Sequence, residues 1–163
     1  MRLEGDTKMS AKPTEDDLKH WHRYFAIECN NRAWTLTTQR RSANEDQEML
    51  DAAHASMLHW SNVGNELNSM RGKMLLAEVH SLLGFAEPAY SYAKEMYEYF
   101  LGNETPDWEI AFAYTIYAHA AQVSGDTVTY KAAYENAVKA IEGIADDEDR
   151  EIVQKTLDEV PSP

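Results

Sequence analysis

Apolar residues recur every three or four positions from about residue 14 almost to the C-terminus of the chain. This period is typical of amphipathic helices, and no segment alternates apolar and polar residues as a strand does. Capping signals divide the pattern: Ser42 lies three residues before Glu45, and Gly84 and Gly125 suit helix ends. The connections are short, so consecutive helices are expected to lie antiparallel as hairpins. The predicted helices are 14–39, 44–61, 66–83, 86–101, 106–123, 127–143 and 147–158.

Length and composition predict one helical domain that follows a polar N-terminal segment. The chain has 163 residues, of which 44% are hydrophobic, and this is enough to bury a single core. Residues 1–13 are largely polar and include Gly5, Ser10 and Pro13. We therefore predict a disordered N-terminal tail over 1–13 and a single all-helical domain over 14–163.

The chain is strongly acidic, with a formal net charge of -13. Such a charge repels the phosphates of nucleic acids and of anionic membranes, so neither is expected as a partner. The longest apolar run is too short and too polar to span a bilayer, and the N-terminal residues lack the apolar core of a signal peptide. The one cysteine, Cys29, cannot form an internal disulfide. Together these features predict a cytoplasmic protein.

Two successive hairpins carry small residues at matching positions. The turn glycines Gly84 and Gly125 lie 41 residues apart, and Ala77 and Ala118 correspond in the helices before them. Over residues 66–143 this pattern resembles the tetratricopeptide repeat, although the consensus period of that family is about 34 residues. The resemblance implies a right-handed superhelix of stacked hairpins that exposes a concave surface and binds other proteins, on either its concave or its convex side. An irregular helical bundle that shares only the hairpin geometry is the alternative.

A second resemblance is carried by four segments that together cover most of the chain. They are similar to segments of a group of small, uncharacterised bacterial helical proteins. This resemblance implies a helical fold and carries no activity. The segments are NNRAW, AHASMLHW, MRGKMLLAEVHSLLG and AFAYTIYAHAA.

A polar cluster between the first two helices is the main candidate site. His54 falls within the apolar arc of the second helix, and Asp51 lies three residues earlier at the edge of that arc. On the first helix, Glu28 and Arg32 interrupt an apolar stripe that includes Trp21, and they can pair at four-residue spacing. Because aromatic residues surround this helix, it is expected to be covered on more than one side. The five residues predict either a polar pocket or a structural ion pair beside a core histidine.

The histidines of the second helix do not form a metal motif. His59 is five residues from His54, which turns the two side chains about 140° apart on a helix. They cannot bind the same ion, and His59 is expected at the surface or in a groove. The spacing of Asp51 and His54 is similar to the carboxylate–histidine pair of di-iron helical bundles, but the sequence has no second pair of this kind. Arg71 and Glu78 flank the apolar face of the third helix and predict a solvated edge of salt bridges. We therefore predict no metal site and no cofactor.

The fourth helix contains more aromatic residues than one buried face requires. Tyrosine favours interfaces because its ring is apolar and its hydroxyl is polar. This helix is therefore a candidate contact surface for a protein partner or for a second copy of the chain, with packing between hairpins as the alternative. The candidate interface residues are Tyr90, Tyr92, Tyr97 and Tyr99.

No catalytic signature occurs in the sequence. It contains no G-x-S-x-G motif, no glycine-rich phosphate loop and no C-x-x-C pattern. We therefore expect a protein–protein interaction module without catalytic activity, which binds a protein, a basic or neutral peptide, or itself. Two alternatives stay open: a small-molecule- or metal-binding enzyme with its site in the polar pocket, and a structural or regulatory homo-oligomer.

Overall fold

A computed structural model describes residues 12–163, and within that range the chain forms seven α-helices and no strand. The predicted all-helical fold is confirmed, and every helix begins and ends within two residues of its predicted bounds. The tail predicted over 1–13 falls almost entirely outside the described residues. The helices are α1 (Glu15–Thr37), α2 (Ala43–Val63), α3 (Glu66–Leu82), α4 (Ala86–Gly102), α5 (Asp107–Val123), α6 (Thr127–Glu142) and α7 (Asp147–Leu157).

Two of the connections are the same glycine turn. Gly84 and Gly125 have φ angles of 72° and 77°, in the left-handed region that glycine adopts without strain. In each turn the amide after the glycine donates to the carbonyl five residues back, at 2.8 Å after Gly84 and 3.0 Å after Gly125. The α3–α4 and α5–α6 hairpins therefore close in the same way.

The hairpins stack in two layers. The odd-numbered helices pack in series, α1 against α3, α3 against α5 and α5 against α7. Helices α2, α4 and α6 each pack against the helix before and the helix after them in the chain. Each hairpin thus contacts its neighbours, as in proteins built from stacked repeats. The handedness of the stack, and with it the tetratricopeptide-like right-handed superhelix, stays a prediction.

Small residues bring α3, α4 and α5 close together. Ala77, Ala93 and Ala113 are fully buried, and crossing helices approach closely where side chains are small. Phe100 and Ile116, which are also fully buried, fill the space beside them. None of the helices between residues 12 and 163 is both long and apolar enough to cross a lipid bilayer.

The contact between α1 and α2 is also made by small residues. Ala26 and Ala33 are fully buried, and the hydroxyl of Ser56 donates to the carbonyl oxygen of Ala26 at 2.8 Å. This close crossing buries a narrow stripe of α1. The large side chains in the N-terminal half of α1 lie outside that stripe and are exposed.

Candidate binding surface and cavity

The charged residues of the predicted polar pocket take partners other than one another. Arg32 donates from Nε and Nη2 to Glu48 of α2 at 2.7 and 2.9 Å, so the expected pair with Glu28 does not form. Asp51 accepts a hydrogen bond from Gln47 at 2.9 Å. Glu28, Arg32 and Asp51 are all exposed. The expected burial of Glu28 and Arg32 is wrong because alanine and serine side chains, and not these charges, make the contact between α1 and α2.

The other two residues of that predicted pocket are exposed as well. His54 lies edge-on to the ring of His80, with 5.4 Å between ring centroids, and it is not the core histidine expected from its helical face. Trp21 is 50% exposed and stacks on Phe25. In the described part of the chain no hydrogen bond joins any two of the five residues. The structure therefore does not bring them together.

The N-terminal half of α1 presents an apolar surface to solvent. Trp21, Tyr24 and Phe25 contact one another, with ring centroids 5.3 to 6.0 Å apart. Their exposed fractions are 50%, 46% and 42%, and Leu18, one turn before Trp21, is 47% exposed. We name Leu18, Trp21, Tyr24 and Phe25 the α1 aromatic face. The expectation that a neighbouring helix covers this stripe is wrong.

Basic residues of α1 lie away from the α1 aromatic face. Lys19, His20 and Arg23 line a shallow depression of about 460 Å³ between α1 and the C-terminal end of α2. At about 100° per residue, Lys19 and Arg23 lie roughly 150° and 170° round the helix from the centre of the α1 aromatic face. They therefore do not form a rim for a ligand that binds there.

A histidine pair joins α1 to α2 beside the same face. Nδ1 of His22 and Nδ1 of His59 are 2.8 Å apart, and the ring of Phe25 lies 5.6 Å from that of His59. One ring must donate and the other accept in this hydrogen bond. Burial, followed by the charge of His22, lowers the pKa of His59. The pair has no third ligand: among the described residues no group of three His, Cys, Asp or Glu side chains is placed to hold a metal ion.

The four tyrosines of the predicted interface are half-buried within the fold. Tyr90 and Tyr97 stack on Tyr117 of α5, at 5.8 and 4.2 Å between ring centroids. Tyr92 lies 5.7 Å from a histidine ring of α3, and Tyr99 packs against the phenylalanine that follows it. Packing of α4 against its neighbours thus accounts for much of its aromatic content. Contact of these tyrosines with a partner stays a prediction.

An ion pair is buried between α3 and α5. Nδ1 of His119 lies 3.1 and 3.0 Å from the two carboxylate oxygens of Glu78, and the two side chains are 5% and 0% exposed. The prediction of a solvated edge at Glu78 is therefore wrong. The two residues are 41 positions apart, as are Gly84 and Gly125. They occupy equivalent positions in successive hairpins, and this shared spacing is the sequence signal that points to the pair.

Raising the pH is expected to weaken the Glu78–His119 pair. Burial by itself lowers the pKa of His119, but the charge and hydrogen bonds of Glu78 outweigh burial and hold that pKa above its ordinary value. The stabilisation is therefore fully present below the unfolded pKa of about 6.5 and is lost as the pH rises through the folded pKa.

Urea unfolding between about pH 6 and pH 9 measures this loss when the wild type is compared with the double variant Glu78→Leu/His119→Leu. The difference in unfolding free energy, wild type minus variant, is expected to fall with pH. A difference that is constant or rises across this range would contradict the assignment.

A cavity of about 510 Å³ opens between α1, α3, α5 and α7. Trp34 of α1 and two aromatic residues of α5, Trp108 and Phe112, form an apolar wall. Four threonines, Arg71 and Lys155 are among the other residues that line the cavity. Sequence reasoning missed this site because its residues come from four helices and carry no local motif. Only the folded stack of odd-numbered helices brings them together.

Arg71, which lines the cavity, forms an ion pair with a buried carboxylate. Arg71 donates from Nε to Oε1 of Glu109 at 2.6 Å, and its guanidinium carbon lies 5.6 Å from the centroid of the Trp108 ring. The carboxylate of Glu109 is 1% exposed, while the Arg71 side chain is 43% exposed. Arg71 is therefore partly solvated and in a salt bridge, as predicted, but its partner is a buried carboxylate of α5.

Comparison of the chain with protein-family models, with curated proteins and with solved structures found no match. The residues described above are therefore the only basis for inferring a function.

Proposed function

We propose that this protein is an interaction module whose α1 aromatic face binds an amphipathic helix of a partner protein. The observation that carries the proposal is the row of four large apolar side chains, each 42% to 50% exposed, on one half of one helix. A contiguous apolar patch on an otherwise polar surface is typical of an interaction site. Tryptophan and tyrosine are also the residues that most often dominate binding energy at such sites.

The spacing of the face suits a helical ligand. Leu18, Trp21 and Phe25 follow one another at intervals of three and four residues, so they form a stripe along the axis of α1. An amphipathic helix offers a complementary stripe at the same spacing and can lie alongside it. The face therefore fits a helix better than an extended peptide, which needs a free strand edge for its backbone hydrogen bonds.

The charge of the chain favours a basic partner. Its formal net charge is -13. Asp17 lies four residues before Trp21 and Glu28 three residues after Phe25, so both are on the same side of α1 as the α1 aromatic face. Complementary charge at the rim of an interface speeds association and excludes wrongly charged partners. A partner helix with basic residues next to its apolar stripe is thus favoured.

The buried Glu78–His119 pair is better explained as a structural contact than as a catalytic group. A catalytic acid or base must come within hydrogen-bonding reach of its substrate. The side chains of Glu78 and His119 are 0% and 5% exposed, and Nδ1 of His119 lies within 3.1 Å of both carboxylate oxygens of Glu78. The pair therefore serves the contact between α3 and α5.

Two synthetic helical peptides with the same apolar stripe test the proposal, one flanked by glutamates and one by lysines. By fluorescence anisotropy at low salt we expect the lysine-flanked peptide to bind about tenfold more tightly. Trp21→Ser is expected to weaken that binding by about thirtyfold, as for a residue at the centre of an interface. Val128→Ser, at an 82% exposed apolar residue of α6, is the matched control and should leave binding unchanged.

Three outcomes would overturn the proposal. The first is failure of both peptides to bind, and the second is binding that Trp21→Ser leaves unchanged. The third is self-association of the wild type, seen by sedimentation and abolished by Trp21→Ser. That result would assign the α1 aromatic face to a second copy of the chain, as the homo-oligomer alternative requires.

A further inference from the structure

The cavity between α1, α3, α5 and α7 is separate from the α1 aromatic face and has the size and lining of a small-molecule site. Its volume of about 510 Å³ lies within the range of about 300 to 1,000 Å³ that is usual for ligand pockets. None of the residues that line it belongs to the α1 aromatic face. Binding in this cavity would therefore be a second property of the protein, independent of the helix-docking function proposed above.

Three aromatic rings belong to the apolar part of the cavity, together with Met74 and Ile152. The rings of Trp34 and Phe112 are 5.5 Å apart, and those of Phe112 and Trp108 are 6.1 Å apart. These three rings belong to two different helices, α1 and α5, and so hold the wall at fixed spacing. Offset and edge-to-face contacts with such rings favour a ligand that is itself flat and aromatic.

The charged residues that line the cavity are both cationic. Arg71 and Lys155 line it, and no carboxylate does, although the chain contains 28 acidic and only 15 basic residues. Arg71 uses Nε on the buried Glu109, and neither of its Nη nitrogens donates to another described residue. Lys155 pairs with Glu151 one turn away, at 2.9 Å, and both of those side chains are largely exposed. Solvent screens such a pair strongly, so Lys155 can turn to a ligand at small cost.

We propose that this cavity binds a planar aromatic anion, of which an aryl carboxylate is the simplest example. The flat ring lies against Trp34, Trp108 and Phe112. The carboxylate accepts hydrogen bonds from the Nη groups of Arg71, whose planar fork matches the two carboxylate oxygens. Glu109 holds that fork in place from the buried side, and Lys155 adds a second positive charge on α7.

The probes are 1-naphthoate and its uncharged isostere 1-naphthamide, which differ only in the charged group. Nitrogen-15 NMR follows the indole N–H signals of the four tryptophans of the chain. We expect the signals of Trp34 and Trp108 to shift with either compound, and 1-naphthoate to bind about tenfold more tightly. The signal of Trp21 is expected to stay in place.

Two variants test the role of charge while preserving the fold. Arg71→Gln/Glu109→Gln removes the guanidinium without leaving a buried carboxylate alone, and it should abolish the preference for 1-naphthoate over 1-naphthamide. Lys155→Gln, at an exposed residue, should reduce that preference about threefold.

Equal affinity of the wild type for the two compounds would overturn the proposal, because the cations would then play no part in binding. Failure of both compounds to shift Trp34 and Trp108 would also overturn it. So would a shift confined to Trp21, which would place the binding on the α1 aromatic face. None of these results bears on whether that face binds a helix, so the two proposals can fail separately.

Discussion

Replacing His119 by Leu is expected to lower the free energy of unfolding by about 3 to 5 kcal/mol, the range found when one partner of a buried ion pair is removed. The variant leaves Glu78 without the ring that its two carboxylate oxygens contact at 3.1 and 3.0 Å. That carboxylate is 0% exposed, so water cannot replace the lost partner. Urea denaturation followed by circular dichroism measures the change.

The double variant Glu78→Leu/His119→Leu distinguishes a stranded charge from a packing defect. Apolar replacement of a whole buried ion pair is often neutral or stabilising, so the double variant should be clearly more stable than His119→Leu alone. His54→Leu, at an exposed histidine, is the control and should change stability by less than about 0.5 kcal/mol. A double variant as unstable as the single one would contradict this explanation.

Replacing Arg71 by Met is expected to lower the free energy of unfolding by about 2 to 4 kcal/mol. The buried Glu109, 1% exposed, would lose the guanidinium that donates to it at 2.6 Å. The effect should be smaller than at His119 because Arg71 itself is 43% exposed and water can approach the site. Thermal or urea unfolding of the variant measures the loss.

A second cation of the same cavity provides the comparison. Lys155→Met breaks only the exposed pair with Glu151 and should cost less than about 0.5 kcal/mol. Arg71→Met/Glu109→Met should regain most of the stability lost in the single variant, since no carboxylate is left alone. If Arg71→Met costs no more than Lys155→Met, the link between Arg71 and Glu109 does not stabilise the fold.

Helix bounds could be predicted closely because their signals are local. Ser42 begins α2 with a capping box to Glu45, and Gly84, with its positive φ, follows the end of α3. Each signal acts within a few residues, so it does not depend on what the helix later packs against. The same locality explains why the apolar period alone sufficed for an all-helical prediction.

The candidate site could not be predicted in the same way, because burial depends on the partner helix. The stripe of Leu18, Trp21 and Phe25 is visible in the sequence, yet nothing there shows that α2 crosses α1 at Ala26 and Ser56 instead. Large apolar side chains are usually predicted to be buried, whereas small side chains determine where two helices can approach closely. The predicted polar pocket required charged residues at the contact between α1 and α2, but alanine and serine residues make that contact.

The partners of the buried charges could not be predicted from one helix alone. Arg71 and Glu78 both lie on α3, and from α3 alone they predict a solvated edge. Their partners Glu109 and His119 lie on α5, which packs against α3 only in the folded stack. Glu78 and His119 are separated by the same 41 residues as the turn glycines Gly84 and Gly125, and this spacing indicates their pair. Arg71 and Glu109 are not separated by the repeat spacing, so it does not indicate theirs.

Helix α1 carries a residue of each proposed site, and this makes the two distinguishable by one method. Trp21 lies on the α1 aromatic face, while Trp34, nearly four turns later, lines the cavity. Each tryptophan has a single indole N–H, so each site has its own signal. A ligand that shifts one signal and not the other is thereby assigned to its site.

Titration of nitrogen-15-labelled protein with the lysine-flanked helical peptide tests docking on the α1 aromatic face most directly. We predict that the indole N–H signal of Trp21 shifts until the peptide saturates the protein, while the signals of Trp34 and Trp108 stay in place. The Val128→Ser variant should give the same result. A Trp21 signal that does not move, or movement of the Trp34 and Trp108 signals alone, would contradict the proposed function.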